Sequence, residues 1–154
     1  MKKHMGLKFR PRTVAVLGSV LALAGSLLAS LDVEASETKR RMIVCSTTQI
    51  ADFTRQVVGD RMEVTCILAP GQDPHLYETK PSDARLVARA DLCIRNGLHL
   101  EGKEWMKTLA TDAGKKLVTC VVGIQPLQLT VGGEVVPDPH AWFSPRNAVV
   151  YVRN

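Results

Sequence analysis

The chain has 154 residues, enough for one domain, with 20 Lys and Arg against 15 Asp and Glu for a net charge of +5. Lys2, Lys3, Lys8, Arg10 and Arg12 all fall before Thr13, so the excess of positive charge belongs largely to the first segment. A nearly neutral remainder with 5% aromatic residues gives no basis for nucleic-acid binding, which needs a basic surface and rings for base stacking.

Behind the basic start, Thr13–Leu31 carries no charge, and small residues follow, with Val33-Glu34-Ala35 as a small-x-small cleavage signal. That order is an export signal peptide, expected over residues 1–35. An uncleaved membrane anchor is the alternative, since the run approaches bilayer-spanning length; Gly18, Gly25 and its hydroxyl residues weigh against it. No cysteine ends the apolar run to accept a lipid, and the expected product is an exported chain in the periplasm or at the cell surface.

After a polar linker, 36–41, Met42–Ser46 reads as a strand buried on both faces. Thr47 or Thr48 caps a helix with Ile50, Phe53 and Val57 inside and Gly59 as its stop. A second strand, Met62–Leu68, runs into the turn Ala69-Pro70-Gly71 and the segment 72–79. Ser82 caps a helix carrying Leu86, Val87 and Ala90; Asp91–Arg95 is a third strand, followed by the loop 96–100. The next helix sets Trp105, Met106, Leu109 and Ala113 on one side and ends at Gly114, and Leu117–Val122 is a fourth strand. Near-continuously apolar strands alternating with helices predict an α/β fold of parallel βαβ units, with every strand C-terminus on one ligand-binding edge. Leu127–Val131 and Glu134–Val136 then flank the hairpin turn Gly132-Gly133, and Ser144-Pro145 opens a last helix that runs to the chain end.

Cys45, Cys66, Cys93 and Cys120 each sit inside an apolar strand with no C-x-x-C pairing, which favours buried thiols over disulfides and excludes a zinc knuckle. The sequence has four histidines; His4 belongs to the export signal, and two of the others stand in identical tripeptides, Asp73-Pro74-His75 and Asp138-Pro139-His140. Coincidence at both places is on the order of one in ten thousand. Proline fixes φ ahead of each imidazole, and a metal site needs such stiffness because ligand atoms tolerate displacements of only a few tenths of an ångström. His75 follows the second strand and His140 the hairpin after the fourth, so both are expected over one rim of the sheet as metal ligands. A loop histidine bonded to a backbone carbonyl is the alternative for each. His99 lacks the Asp-Pro prefix and is expected near the site, as are Glu78, Asp73 and Asp138, which could accept from a ligand's second nitrogen. Trp142 and Phe143 are expected on the site's flank.

Gly71–Glu78, then Ala90-Asp91-Leu92 with Asn96–Glu101, then Asp138–Trp142, occur in that order and resemble the zinc-, manganese- and iron-binding receptors of bacterial ABC importers. The resemblance covers about Arg41 to Asn154. It implies two α/β lobes joined by a long helix, with the metal between them, and the first lobe's two histidines fall on His75 and His140. Residues 42–154 would then be the N-terminal lobe alone, and the second-lobe ligands would be missing. The implied function is capture of one divalent ion, manganese or zinc with iron third, by a monomeric non-enzymatic protein that hands it to an ABC permease in the cytoplasmic membrane. With no histidine-rich loop between Gly123 and Pro137, the motifs lean towards manganese. Two alternatives stand beside this reading. One is a metal-dependent hydrolase with Glu78 as general base in His75-x-x-Glu78, although Pro74 and Pro81 make that segment a poor helix. The other is a truncated fragment without a transport role.

Overall fold

The computed structural model describes residues 40–154; the expected signal peptide and most of the linker lie outside them. Four strands, β1 (Met42–Cys45), β2 (Glu63–Cys66), β3 (Leu92–Arg95) and β4 (Leu117–Thr119), form a parallel sheet in the order β2-β1-β3-β4. β1 and β3, the two central strands, carry the fully enclosed residues Val44, Cys45 and Cys93, which are apolar on both faces as a covered parallel strand requires. The helices are α1 (Thr48–Val58), α2 (Pro81–Ala88), α3 (Trp105–Asp112) and α4 (Pro145–Arg153).

Two apolar clusters sandwich the sheet. Ile43, Cys45, Cys120 and the α1 residues Ile50 and Ala51 pack with Tyr151 of α4 on one side. Val44, Cys93 and Leu68 pack with Val87 of α2 and with Trp105, Met106 and Ala110 of α3 on the other. The chain therefore winds outward from β1 to β2 and, starting again at β3, outward to β4. The crevice between β1 and β3, where the winding reverses, is where open α/β sheets place their ligands.

Several local expectations are corrected. The inner stripe of α1 is Ile50, Ala51 and Thr54, while Val57 is 44% exposed. A spacing of four from Ile50 leads to Thr54, and its hydroxyl is made acceptable inside by donating to the Ile50 carbonyl at 2.7 Å and accepting from Cys45 Sγ at 3.4 Å. The N-cap of α2 is Lys80, not Ser82: Pro81 takes the first helical position and the Asp83 carboxylate reaches back to accept from the Lys80 N–H at 2.7 Å. β4 stops at Thr119 rather than Val122, because the chain turns there, with Val122 N–H donating to the Thr119 carbonyl and Ile124 N–H to that of Val121. The edge strand β2 is likewise shorter than expected and only half-buried.

The hairpin forms with β5 (Gln128–Val131) and β6 (Glu134–Pro137) antiparallel. Gly132 and Gly133 turn with φ of 61° and 89°, the left-handed geometry a tight hairpin demands. Its last hydrogen bond, from Asp138 N–H to the Leu127 carbonyl at 2.7 Å, delivers the chain to the second Asp-Pro-His. All four cysteines are free, and Cys45, Cys93 and Cys120 are buried, as expected of core thiols.

Candidate metal site

The two Asp-Pro-His loops fold alike. In the first, Asp73 Oδ1 accepts from the His75 backbone N–H at 2.8 Å; in the second, Asp138 Oδ1 accepts from that of His140 at 2.9 Å. Each aspartate thus closes a tight side-chain turn around its proline, and each histidine leaves that turn with little backbone freedom.

The turns bring the imidazoles together from positions 65 residues apart. The rings of His75 and His140 have centroids 6.2 Å apart and planes inclined at 62°. A metal bonded to an imidazole nitrogen at about 2.1 Å lies roughly 3.3 Å from that ring's centroid, so two rings sharing one ion have centroids no more than about 6.6 Å apart. The observed separation falls inside that limit. His140 Nδ1 also lies 2.8 Å from Asp138 Oδ1. Since a carboxylate only accepts, Nδ1 is the donor here, an arrangement that in the neutral ring leaves the Nε2 lone pair for a cation. The same contacts hold the Asp138 carboxyl below its ordinary range: the His140 backbone N–H contributes most and the ring adds to it, against a smaller opposing effect of burial.

Around the pair the surface is apolar. Trp142 meets the His140 ring edge-on at 5.3 Å and Phe143 stacks on it at 6.4 Å, the flanking positions expected of them. Leu76 and Phe143 are 80% and 79% exposed beside the two imidazoles. A cleft lined by Thr47, Thr48, Gln72, Asp73 and Leu100 opens next to His140 at the C-terminal edge of the sheet.

The remaining sequence candidates make other contacts. His99 is exposed, with Nδ1 3.6 Å from Glu104 Oε1. Glu78 is exposed on an irregular segment, so His75-x-x-Glu78 does not share a helical face and the hydrolase geometry is absent. Asp73 bonds the backbone of its own loop. Among the described residues no three His, Cys, Asp or Glu side chains gather as a metal-sized cluster.

A polar network joins the ends of β1 and β3 to both histidine loops, built partly on the Asn96–Glu101 motif, whose contacts the sequence did not reveal. Glu101 is fully buried in the crevice between β1 and β3. Its carboxyl accepts from Ser46 Oγ at the end of β1 (2.7 Å), and from the Asn96 and Gly97 N–H groups at the end of β3 (2.7 and 3.0 Å). Asn96, also fully buried, donates from Nδ2 to the Pro139 carbonyl at 3.0 Å. Trp105 Nε1 donates to the Pro74 carbonyl at 3.0 Å. Asn96 directly follows β3 and Glu101 lies five residues further on, but nothing in the sequence says which donors and acceptors they meet.

The family model described as zinc-uptake complex component A, periplasmic (ZnuA), matches residues 43–154. The chain belongs to this family. It is 32% identical over 151 residues to the manganese ABC transporter substrate-binding lipoprotein PsaA of Streptococcus pneumoniae, an alignment covering 90% of this chain and 49% of that protein. Its fold is similar to the Mn-bound periplasmic metal binding protein from Candidatus Liberibacter asiaticus, with a TM-score of 0.64 and 34% identity over 74% of this chain and 42% of that one. The periplasmic zinc binding protein TroA from Treponema pallidum aligns with a TM-score of 0.63 and 27% identity, covering 74% of this chain and 41% of its own. The chain spans about half the length of the curated relatives it matches. The α/β lobe expected from the strand pattern is therefore the one these metal-binding relatives share.

Proposed function

We propose that the protein captures one divalent metal ion, manganese or zinc, through His75 and His140 outside the cytoplasmic membrane and delivers it to an ABC-type permease. The observation that carries this reading is the pair of proline-stiffened imidazoles within reach of a single ion, with one nitrogen of His140 oriented by Asp138. Relatives named for manganese and for zinc support the choice of cargo, and the basic, apolar and small-residue order of residues 1–35 supports export.

Two neutral nitrogens leave most of a metal's coordination sphere to water or to other protein groups. Such a site holds an ion loosely and lets it go, which suits capture and transfer rather than catalysis. Imidazole favours zinc over manganese in bare affinity, so a manganese preference would come from oxygen ligands added to this pair. The protein acts as a monomer in this scheme. Titration calorimetry of the chain with Zn²⁺ and Mn²⁺ tests it: His75→Ala and His140→Ala should each remove measurable binding. Undiminished binding by the double variant would sink the reading.

A further inference from the structure

We infer that the segment from Asn96 to Trp105, seated on Glu101, sets the separation of the two imidazoles, with Asn96, Gly102 and Trp105 as its positioning residues. This rests on the metal-capture reading for its purpose, though not for its geometry. One short stretch of chain touches both Asp-Pro-His loops, and it does so at equivalent atoms. Trp105 Nε1–H holds the carbonyl of Pro74, and Asn96 Nδ2–H holds the carbonyl of Pro139. Each bond lands on the residue just before a histidine, where a small rotation swings the imidazole furthest.

A third contact sets how close the first loop approaches. At Gly102 a side chain would place its Cβ 2.2 Å from the His75 carbonyl oxygen, so the segment and the histidine backbone touch without space for even a methyl group. The orientation of Asn96 is not free either. Tyr151 O–H donates to Asn96 Oδ1 at 2.5 Å, which fixes the amide with its nitrogen towards Pro139. Glu101 anchors the stretch between β1 and β3 through three accepted hydrogen bonds.

The backbone carries the mark of this constraint. Among the described residues, the non-glycine residues with positive φ are Leu98, His99 and Glu104, at 51°, 60° and 59°, and all three lie in this segment. Side chains other than glycine tolerate that region poorly, and they remain there only where the surroundings over-determine them. The anchored carboxyl and the two clamped carbonyls supply that determination.

The experiment uses the full chain with Trp105→Phe, Asn96→Asp and Gly102→Ala, and Val64→Ala as a control that loosens the core at the edge strand β2, in the cluster opposite Trp105. Two readouts are taken: Co²⁺ titration followed by its visible ligand-field spectrum, and, without metal, the nuclear Overhauser contact between the His75 and His140 rings. Trp105→Phe and Asn96→Asp should each weaken Co²⁺ binding about tenfold, change the spectrum and diminish the ring–ring contact. Gly102→Ala should do the same by displacing His75. Val64→Ala should lower the melting temperature and leave both readouts as in the parent. The inference is overturned if the ring–ring contact persists in the three loop variants, or if Val64→Ala disturbs it equally. A parent chain that shows the contact but binds no Co²⁺ would instead remove the capture reading, and loss of the contact in the variants would still uphold the positioning role.

Discussion

The two aspartates of the repeated tripeptide look equivalent in sequence and are not equivalent in the structure. Both accept from the following histidine's backbone, but only Asp138 also bonds the ring of its histidine. Asp138→Asn should therefore weaken metal binding about tenfold, the usual effect of losing a partner that orients a ligand, while Asp73→Asn should have a much smaller effect. Metal titrations at neutral pH of the two variants, side by side, check the asymmetry. The pH dependence has a definite sign. Because the folded Asp138 carboxyl is held below its ordinary 3.8, its contribution is complete above that value and is lost only as pH falls through the lowered one. The Asp138 contact should accordingly survive mild acid, and ring nitrogen shifts of His140 followed from neutral pH down to pH 4 should still report it.

At the scale of elements, the turn into α2 ties the first histidine loop to the helix that follows. Asp83 Oδ2 accepts both from the Lys80 N–H and from Tyr77 O–H at 2.8 Å, and the Tyr77 ring packs 5.1 Å from that of Trp105. Burial first and the Asp83 bond second push the Tyr77 hydroxyl up to about 12. One carboxylate thus caps a helix and pins the far end of the loop that carries His75. Asp83→Ala should destabilise the chain by about 1–2 kcal/mol, since it removes a cap and orphans a tyrosine hydroxyl. Urea unfolding measures that loss, and a midpoint unchanged from the parent would contradict the capping role. The hairpin has the opposite character: Val131 and Val135 are largely exposed, and it meets the second histidine loop at the Asp138 N–H bond to the Leu127 carbonyl.

For the molecule as a whole, the crevice where the sheet's winding reverses is filled by the protein's own Glu101, and the metal candidates stand above it. Open α/β sheets usually leave that crevice to a ligand. Here it is given to a polar hub that joins the ends of β1 and β3. Glu101→Ala would leave the Ser46 hydroxyl and the Asn96 and Gly97 N–H groups without their acceptor inside the fold. A loss of about 3 kcal/mol or more follows, measurable by urea denaturation. The core thiols set a second global property. Burial pushes Cys45 and Cys120 up to about 12 and raises Cys66 and Cys93 as well. The unfolded chain releases these protons near the ordinary 9.0 and the folded chain later. Stability should therefore be flat with respect to these groups below about pH 9 and fall between 9.0 and about 12. The same burial predicts that iodoacetamide at pH 8 modifies the unfolded chain long before the folded one.

Taken alone, the sequence determined the kinds and order of the elements, because apolar periodicity, proline and glycine act over a few residues and leave local marks. It also brought out both histidines, since a repeated tripeptide is visible without coordinates. Element ends were read less well: Thr54 replaced Val57 inside α1, and β4 turned early at Thr119. Those outcomes depend on what a neighbouring strand or helix leaves uncovered. Tertiary structure alone decided that the two rings come within 6.2 Å, that Asp138 and not Asp73 orients an imidazole, and that Glu101, Asn96 and Trp105 brace both loops. Each of those facts joins residues distant along the chain, and a hydrogen bond between distant residues has no local pattern to betray it until packing brings donor and acceptor together.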